Sequence, residues 1–143
     1  MTNLIPESHL DLLLGPVDGV LTTMMPDGQP QMSIVWGDYN GEHVLINTTL
    51  ERQKGKNMLA NPLVNVLMID PQNGARFLEV RGEVDEITQD GAIAHADKQT
   101  QVYSSDAKHH FYGDIYPEDQ QQEETRVIVK ISPRKVTTNA FFS

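Results

Sequence analysis

Cysteine is absent from this chain. Its absence removes disulfide frameworks, thiol nucleophiles, zinc knuckles and iron–sulfur ligation together, and it fits a reducing compartment. Long apolar runs are missing too, and none approaches the ~20 residues a bilayer-spanning helix needs. Met1–Pro6 place no Lys or Arg ahead of an apolar stretch, so this end does not read as a signal peptide, and the cytoplasm is the expected compartment. Aromatics make up 6% of the residues, with Trp36 the one tryptophan. No G-x-G-x-x-G, P-loop or G-x-S-x-G pattern occurs, which removes the usual glycine-rich phosphate loops and serine acyl transfer. Bases are scarce: 11 Lys and Arg stand against 20 Asp and Glu, a net charge of −9. A nucleic-acid partner is disfavoured, because affinity for it rests largely on neutralising phosphates.

The scarcity is uneven. Residues 1–51 contain no Lys or Arg, and then Arg52, Lys54 and Lys56 fall within five positions. A solvated helix face would explain such a run. So would a small anionic ligand held locally by a protein that is acidic elsewhere. The 143 residues suit one domain with a real core.

Periodicity and turn residues set out the elements. Pro6–Leu14 reads as a short helix ended by Gly15-Pro16. Gly19–Met25 is β-rich and runs into the turn Pro26-Asp27-Gly28-Gln29. Pro30–Tyr39 is a second strand in which Met32, Ile34 and Trp36 alternate with Gln31, Ser33 and Val35. Asn40-Gly41 is a strong hairpin signal, so Glu42–Thr48 is expected to pair back as strand three. Thr49–Ala60 reads as a helix capped by Thr48 or Thr49 and stopped by Asn61-Pro62. Val64–Ile69 and Phe77–Ile87 are strands, the second with a bulge or bend at Gly82. Thr88–Tyr103 is helical, Ser104–Gln122 is a loop with one short helix, and Arg126–Ile131 is a strand. Pro133–Phe142 adds a further edge strand. About six strands joined mostly by hairpins, with helices between strand groups, predict an α+β, mainly β, antiparallel barrel with short flanking helices. No linker divides residues 1–143.

The segment Asn47-Thr48-Thr49-Leu50-Glu51-Arg52-Gln53-Lys54-Gly55-Lys56-Asn57 joins a strand end to a helix start. Free N–H groups at a helix N-terminus suit a phosphate. Arg52 can donate two parallel hydrogen bonds to its oxygens, with Lys54 and Lys56 as compact charges. The ordered series Gly19-Val20-Leu21-Thr22-Thr23, Pro26-Asp27-Gly28-Gln29-Pro30, Ser33-Ile34-Val35-Trp36, Asn47-Thr48-Thr49, Arg52-x-Lys54-x-x-Asn57, Asn61-Pro62 and Val80-x-Gly82-x-Val84 resembles the pyridoxamine 5′-phosphate oxidase-like superfamily. Within it, the chain looks most like the short deazaflavin (F-420)-dependent oxidoreductases. The likeness covers residues 10–87 well and 125–137 more loosely.

The resemblance implies a six-stranded split β-barrel that works as a homodimer, with FMN or deazaflavin F-420 bound between subunits. It implies phosphate contacts from Asn47, Thr48, Thr49, Arg52, Lys54, Lys56 and Asn57. Ser33, Ile34, Val35 and Trp36 would run beside the cofactor ring. The expected activity is hydride transfer to or from a small organic substrate, with no catalytic side chain named, since the chemistry belongs to the cofactor. The alternatives are a non-catalytic flavin or deazaflavin carrier or sensor, and a structural dimer with an unused site. A deazaflavin's acidic tail would favour further bases at the pocket mouth, with Arg126, Arg134 and Lys135 as candidates. The chain is shorter than pyridoxamine phosphate oxidases proper and has no counterpart of their C-terminal substrate-binding extension. Trp36 suits a core, an interface or the ring's neighbourhood. His109-His110 invites a metal, but adjacent histidines diverge, and a surface or interface role is favoured. The acidic positions Glu118, Asp119, Glu123 and Glu124 read as solvated surface.

Overall fold

A computed structural model describes residues 4–138; the ends of the chain, including the Met1–Asn3 part of the N-terminal reading and residues 139–142 of the proposed edge strand, lie outside the described residues. Six strands form one curled antiparallel sheet, an α+β split barrel. They are β1 (Asp18–Met24), β2 (Pro30–Trp36), β3 (Val44–Thr49), β4 (Leu63–Ile69), β5 (Phe77–Thr88) and β6 (Arg126–Thr138), in spatial order β2-β1-β4-β5-β6-β3. Three α-helices intervene: α1 (Asp11–Leu14), α2 (Gln53–Ala60) and α3 (Ala92–Ser104).

The inward positions follow the two-residue period of a strand. Leu21, Val44, Ile46, Val66, Met68, Leu78, Val80, Val127, Val129 and Ile131 are buried and pack with Leu12 and Leu13 of α1 into one core. On the outer face of β3 and β6, Leu45 and Ile128 pack with Ala92 of α3. Ala96 of α3 packs with Phe111 and Tyr112 of the wide turn Phe111–Ile115, in which Gly113 takes φ +118°.

One sequence expectation fails in an informative way. Asn40-Gly41 does make a tight turn: Gly41 has φ +95°, and Asn40 Oδ1 accepts the Glu42 and His43 N–H groups. Yet β2 and β3 do not pair beyond it. A single bridge, Tyr39 to Val44, joins the two arms, and β3 pairs instead with β6, from Val44↔Ile131 to Thr49↔Arg126. Gly37, tight against Met68 Cε at the position a Cβ would take, and buried Asp38 turn the chain away first. β2 and β3 therefore become the two ends of the sheet, and the gap between them is the split in the barrel.

The other differences are smaller. Pro6–Leu14 breaks into a 3-10 turn, Glu7–His9, and the four-residue α1. The second helix starts at Gln53 with Arg52 as its N-cap residue and no side-chain cap. Thr48 and Thr49 remain in β3, because Leu50 N–H still bonds the Thr125 carbonyl before the chain turns. Helix α3 begins at Ala92, after Gly91 in the left-handed region. Residues 133–138 continue β6 rather than forming a new strand. They pair with β5 alone, past a register shift at Arg81/Gly82 that lets Pro133 sit opposite Gly82.

Candidate functional site

The gap between β2 and β3 holds a cleft lined by Ile34, Val35 and Trp36 of β2, Asn47 of β3, Arg52 and Lys54 at the start of α2, Gln99 of α3, Phe111, Ile115 and Tyr116, and Arg126 of β6. Its volume is about 170 Å³, and it opens to solvent. Apolar and aromatic side chains share the lining with three cations, Arg52, Lys54 and Arg126, an arrangement that suits a ring carrying an anionic group.

Each cation is placed by its element. Arg52, extended at φ −75°, ψ 151°, donates from Nη2 to the Tyr116 hydroxyl at 3.0 Å and lies 5.4 Å from that ring's centre. Lys54 is the second residue of α2, with Nζ 3.4 Å from Ser33 Oγ. Burial, and then the charges of Arg52 and Arg126, hold its ammonium pKa below the ordinary value. Neither Arg52 nor Lys54 meets a carboxylate among the described residues. Arg126 is buried on the outer face of β6. It lies 4.2 Å over the Phe111 ring and donates to Tyr112 Oη (2.9 Å), Asn47 Oδ1 (2.8 Å) and Glu124 Oε2 (3.3 Å).

The residues singled out in the sequence thus divide. Ile34, Val35, Trp36, Asn47, Arg52 and Lys54 line the cleft, and Ser33 touches it through Lys54. Lys56 is exposed and lies outside the lining. Asn57 turns into the barrel, where Nδ2 donates to Thr23 Oγ1 and Gln31 Oε1 and so ties α2 to β1 and β2. Thr48 and Thr49 are fully buried with unpartnered hydroxyls, outside the cleft lining. Arg134 pairs with Glu83, and neither it nor Lys135 lines the cleft. His109 is half-buried beside Asp106 (3.6 Å) and His110 exposed beside Asp97 (3.4 Å), and no group of three metal-ligating side chains occurs among the described residues. Trp36 stacks on Tyr103 with ring centres 4.5 Å apart. The Tyr103 hydroxyl donates to Val17 O, and burial pushes its pKa up to about 12.

Sequence reasoning missed Gln99, Phe111, Ile115 and Tyr116. They come from residues 88–124, where no periodic signal marks a wall of the cleft. The Phe111-Tyr112 and Tyr116 spacing in a polar stretch was the available hint.

Behind the cleft, Asp38 accepts from the Tyr39 N–H (2.8 Å) and contacts His95 Nε2 (3.0 Å) and Lys98 Nζ (3.1 Å). Burial opposes its ionisation, but these donors together outweigh it and hold its pKa below the usual carboxylate range. A depressed folded-state pKa gives stability that is present above the unfolded value and lost as pH falls through the folded one, here below about pH 4. Asp38→Asn is therefore expected to cost roughly 1–3 kcal/mol at pH 7. The difference from the parent should shrink as pH falls below that window. Urea unfolding at both pH values checks this, and a constant difference would contradict it.

The comparisons with known proteins agree with this architecture. A family model described as pyridoxamine 5′-phosphate oxidase matches residues 5–140. The chain belongs to that family. Among solved structures it is similar to a protein titled F420 reductase, at 34% identity and TM-score 0.76, over 93% of this chain and 98% of that one. It is also similar in fold to the conserved hypothetical protein Rv2991 from Mycobacterium tuberculosis, at 23% identity, TM-score 0.70 and coverage of 96% and 87%. The fold extends to HutZ, titled a heme storage protein, from Vibrio cholerae, at 14% identity, TM-score 0.62 and coverage of 96% and 95%. Comparison with curated protein sequences finds no match.

Proposed function

We propose that this chain is a flavin-type oxidoreductase that binds FMN or deazaflavin F-420 in the cleft and transfers hydride to or from a small organic substrate. The observation that carries the reading is that Arg52 and Lys54 share a cleft with no carboxylate partner among the described residues, in a chain of net charge −9. Burial, and then the charges of Arg52 and Arg126, work against the Lys54 ammonium, and a bound dianion would stabilise the cationic group, as in a phosphate site. The ring would lie on the apolar side, against Ile34, Val35 and Trp36. As the end strand of the sheet, β2 has one backbone edge unpaired by a neighbouring strand, which suits the polar rim of such a ring. When bound, the cofactor supplies the hydride chemistry. The chain's residues hold the phosphate, cover the ring with Phe111 and Tyr116, and exclude water. The 34%-identical F420 reductase supports the deazaflavin form. No histidine or cysteine stands among the cleft-lining residues, which disfavours heme ligation by the lining itself.

The same proposal includes a homodimer and a cytoplasmic location. Met32 and Ile34 are 70% and 66% exposed on the outer face of the strand that lines the cleft, as an apolar subunit interface would require. Met32→Glu with Ile34→Glu is expected to convert a sedimenting dimer to monomer and to weaken cofactor binding with it. A parent protein that sediments as a monomer would overturn the dimer. No helix of the described residues is long and apolar enough to cross a membrane.

Absorbance titration with FMN and with F-420 tests the cofactor reading: saturable binding of at least one is expected, and no spectral change with either refutes it. A carrier or sensor is the second reading, since holding the cofactor does not by itself require that a substrate follow it. Bound cofactor that never turns over with quinone-like or conjugated acceptors would select it.

A further inference from the structure

Asp38 and His95 form a buried polar pair behind the cleft and are not among its lining residues. Asp38 and His95 are both nine-tenths or more buried. His95 Nε2 lies 3.0 Å from Asp38 Oδ2, and His95 Nδ1 lies 3.0 Å from Asn47 Nδ2. Asn47 Nδ2 also donates to the Ala92 carbonyl at 2.8 Å, and Asn47 Oδ1 accepts from Arg126 Nη1 at 2.8 Å. These partners determine every proton. A primary amide has two N–H donors, and here the Ala92 carbonyl takes one and His95 Nδ1 the other. His95 Nδ1 is therefore an acceptor, and the ring proton sits on Nε2 and is donated to the Asp38 carboxylate. Turning the Asn47 amide over would set its oxygen against the Ala92 carbonyl and its NH₂ against the Arg126 guanidinium, two repulsive contacts.

This hydrogen-bonded series ends on a cation with capacity to spare. A guanidinium has five N–H donors. Arg126 gives three bonds, to Tyr112, Asn47 and Glu124, while lining the cleft.

We propose that Asp38 and His95 are positioning residues: together with the Ala92 carbonyl they hold the Asn47 amide in one orientation, and the amide oxygen in turn holds the Arg126 guanidinium facing the cleft as a third cationic contact for an anionic ligand. This rests on the reading of the cleft as a cofactor-phosphate site. It assigns His95 no contact with ligand. Its effect is transmitted through Asn47, and its removal matters only while Arg126 is present.

Two measurements separate this inference from that reading. On ligand-free protein, ¹⁵N-resolved NMR of the His95 ring at neutral pH is expected to find one neutral tautomer, protonated at Nε2. A ring protonated at Nδ1 overturns the proposal whether or not any cofactor binds. The second is a double-mutant cycle read by FMN and F-420 titration, with thermal unfolding followed in parallel. His95→Leu is expected to weaken binding about tenfold, the loss of one charge-assisted contact. In an Arg126→Gln background the same change should cost less than about twofold. His95→Gln can donate to Asp38 and accept from Asn47, so it should restore most of the affinity. An equal loss in both backgrounds, or His95→Gln as poor as His95→Leu, overturns the positioning role. Should the parent bind neither cofactor, the reading of the cleft falls, and the proposal is then judged on Arg126. Its Nη1–H protons, which Asn47 Oδ1 accepts, should exchange faster with solvent in His95→Leu than in the parent, and an unchanged rate overturns it.

Discussion

Replacing Arg52 and Lys54 together by alanine is expected to raise the dissociation constant for FMN or F-420 by roughly two to four orders of magnitude, at about 1.5–3 kcal/mol for each charge-assisted hydrogen bond lost from a partly buried anion. The two cations reach the cleft by different routes, so the single variants should differ. Arg52 is braced by the Tyr116 hydroxyl and ring, and its removal also frees the turn that walls the cleft. Lys54 has Ser33 Oγ as its hydrogen-bond partner, so its loss should read as lost charge alone. Stability should not fall in proportion to affinity. Burial, and then repulsion from Arg52 and Arg126, already depress the Lys54 pKa, and removing a cation from that set relieves the repulsive part in the ligand-free protein. Lys56→Ala is the matched control. It removes the third base of the cluster, but Lys56 is exposed and outside the lining, so its change should stay within a few-fold and vanish at high salt, as screened surface charges do. A double variant that binds as tightly as the parent, or a Lys56→Ala variant that binds as poorly as the double, would remove the electrostatic basis of the site.

That control also marks where the sequence was legible. The spacing Arg52-x-Lys54-x-Lys56 shows a concentration of charge but not its direction. Gln53 is the first helical residue and Arg52 its N-cap. Arg52 and Lys56 therefore do not share a helix face, and Arg52 pairs spatially with Lys54 instead. Asn57 presents the same difficulty. An asparagine at a helix start can face a ligand or the core, and only the polar pair Thr23 and Gln31 inside the barrel selects the core. The strands of the core were readable because alternation is a local property. RVIVKI at Arg126–Ile131 puts Val127, Val129 and Ile131 inside and Arg126 and Ile128 outside. Partner choice is not local. Asn40-Gly41 encodes a tight turn, and it makes one, but whether the arms continue as a ladder depends on Gly37 against Met68 and on Asp38 reaching His95, which is 57 positions away in sequence. The cleft exists because that hairpin fails to zip. The third cation, Arg126, stood in the sequence beside Arg134 and Lys135 as a candidate for the pocket mouth, and of the three it alone lines the cleft. Its place in the site depends on Phe111 and Tyr112 of one turn and Asn47 of β3 converging on it.

Gly55→Ala is expected to lower both stability and cofactor affinity, although alanine is the better helix former. A Cβ at Gly55 would stand 2.1 Å from the Thr49 carbonyl oxygen, 3.1 Å from its carbon and 3.2 Å from Leu50 Cα, all backbone atoms of the strand end beneath the helix. No side chain can swing aside, so α2 itself must move away from β3. Overpacking of this kind costs roughly 1–3 kcal/mol, against a propensity gain of about 1 kcal/mol for replacing glycine in a helix, and the steric term wins. The displacement falls on the turn that carries Arg52 and Lys54, while Asn57 still holds the helix to β1 and β2 through Thr23 and Gln31. The first turn should therefore tilt more than the last, and the cations should leave their places beside Tyr116 and Ser33. Gly74→Ala is the comparison, since nothing lies within 4 Å of its Cβ position. It should be neutral or slightly stabilising through the unfolded chain. Chemical unfolding with parallel FMN and F-420 titrations reads both quantities. A Gly55→Ala protein as stable and as tight-binding as the parent would mean that the helix does not rest on the Thr49 carbonyl, and that the approach of α2 to β3 is not what sets the phosphate end of the cleft.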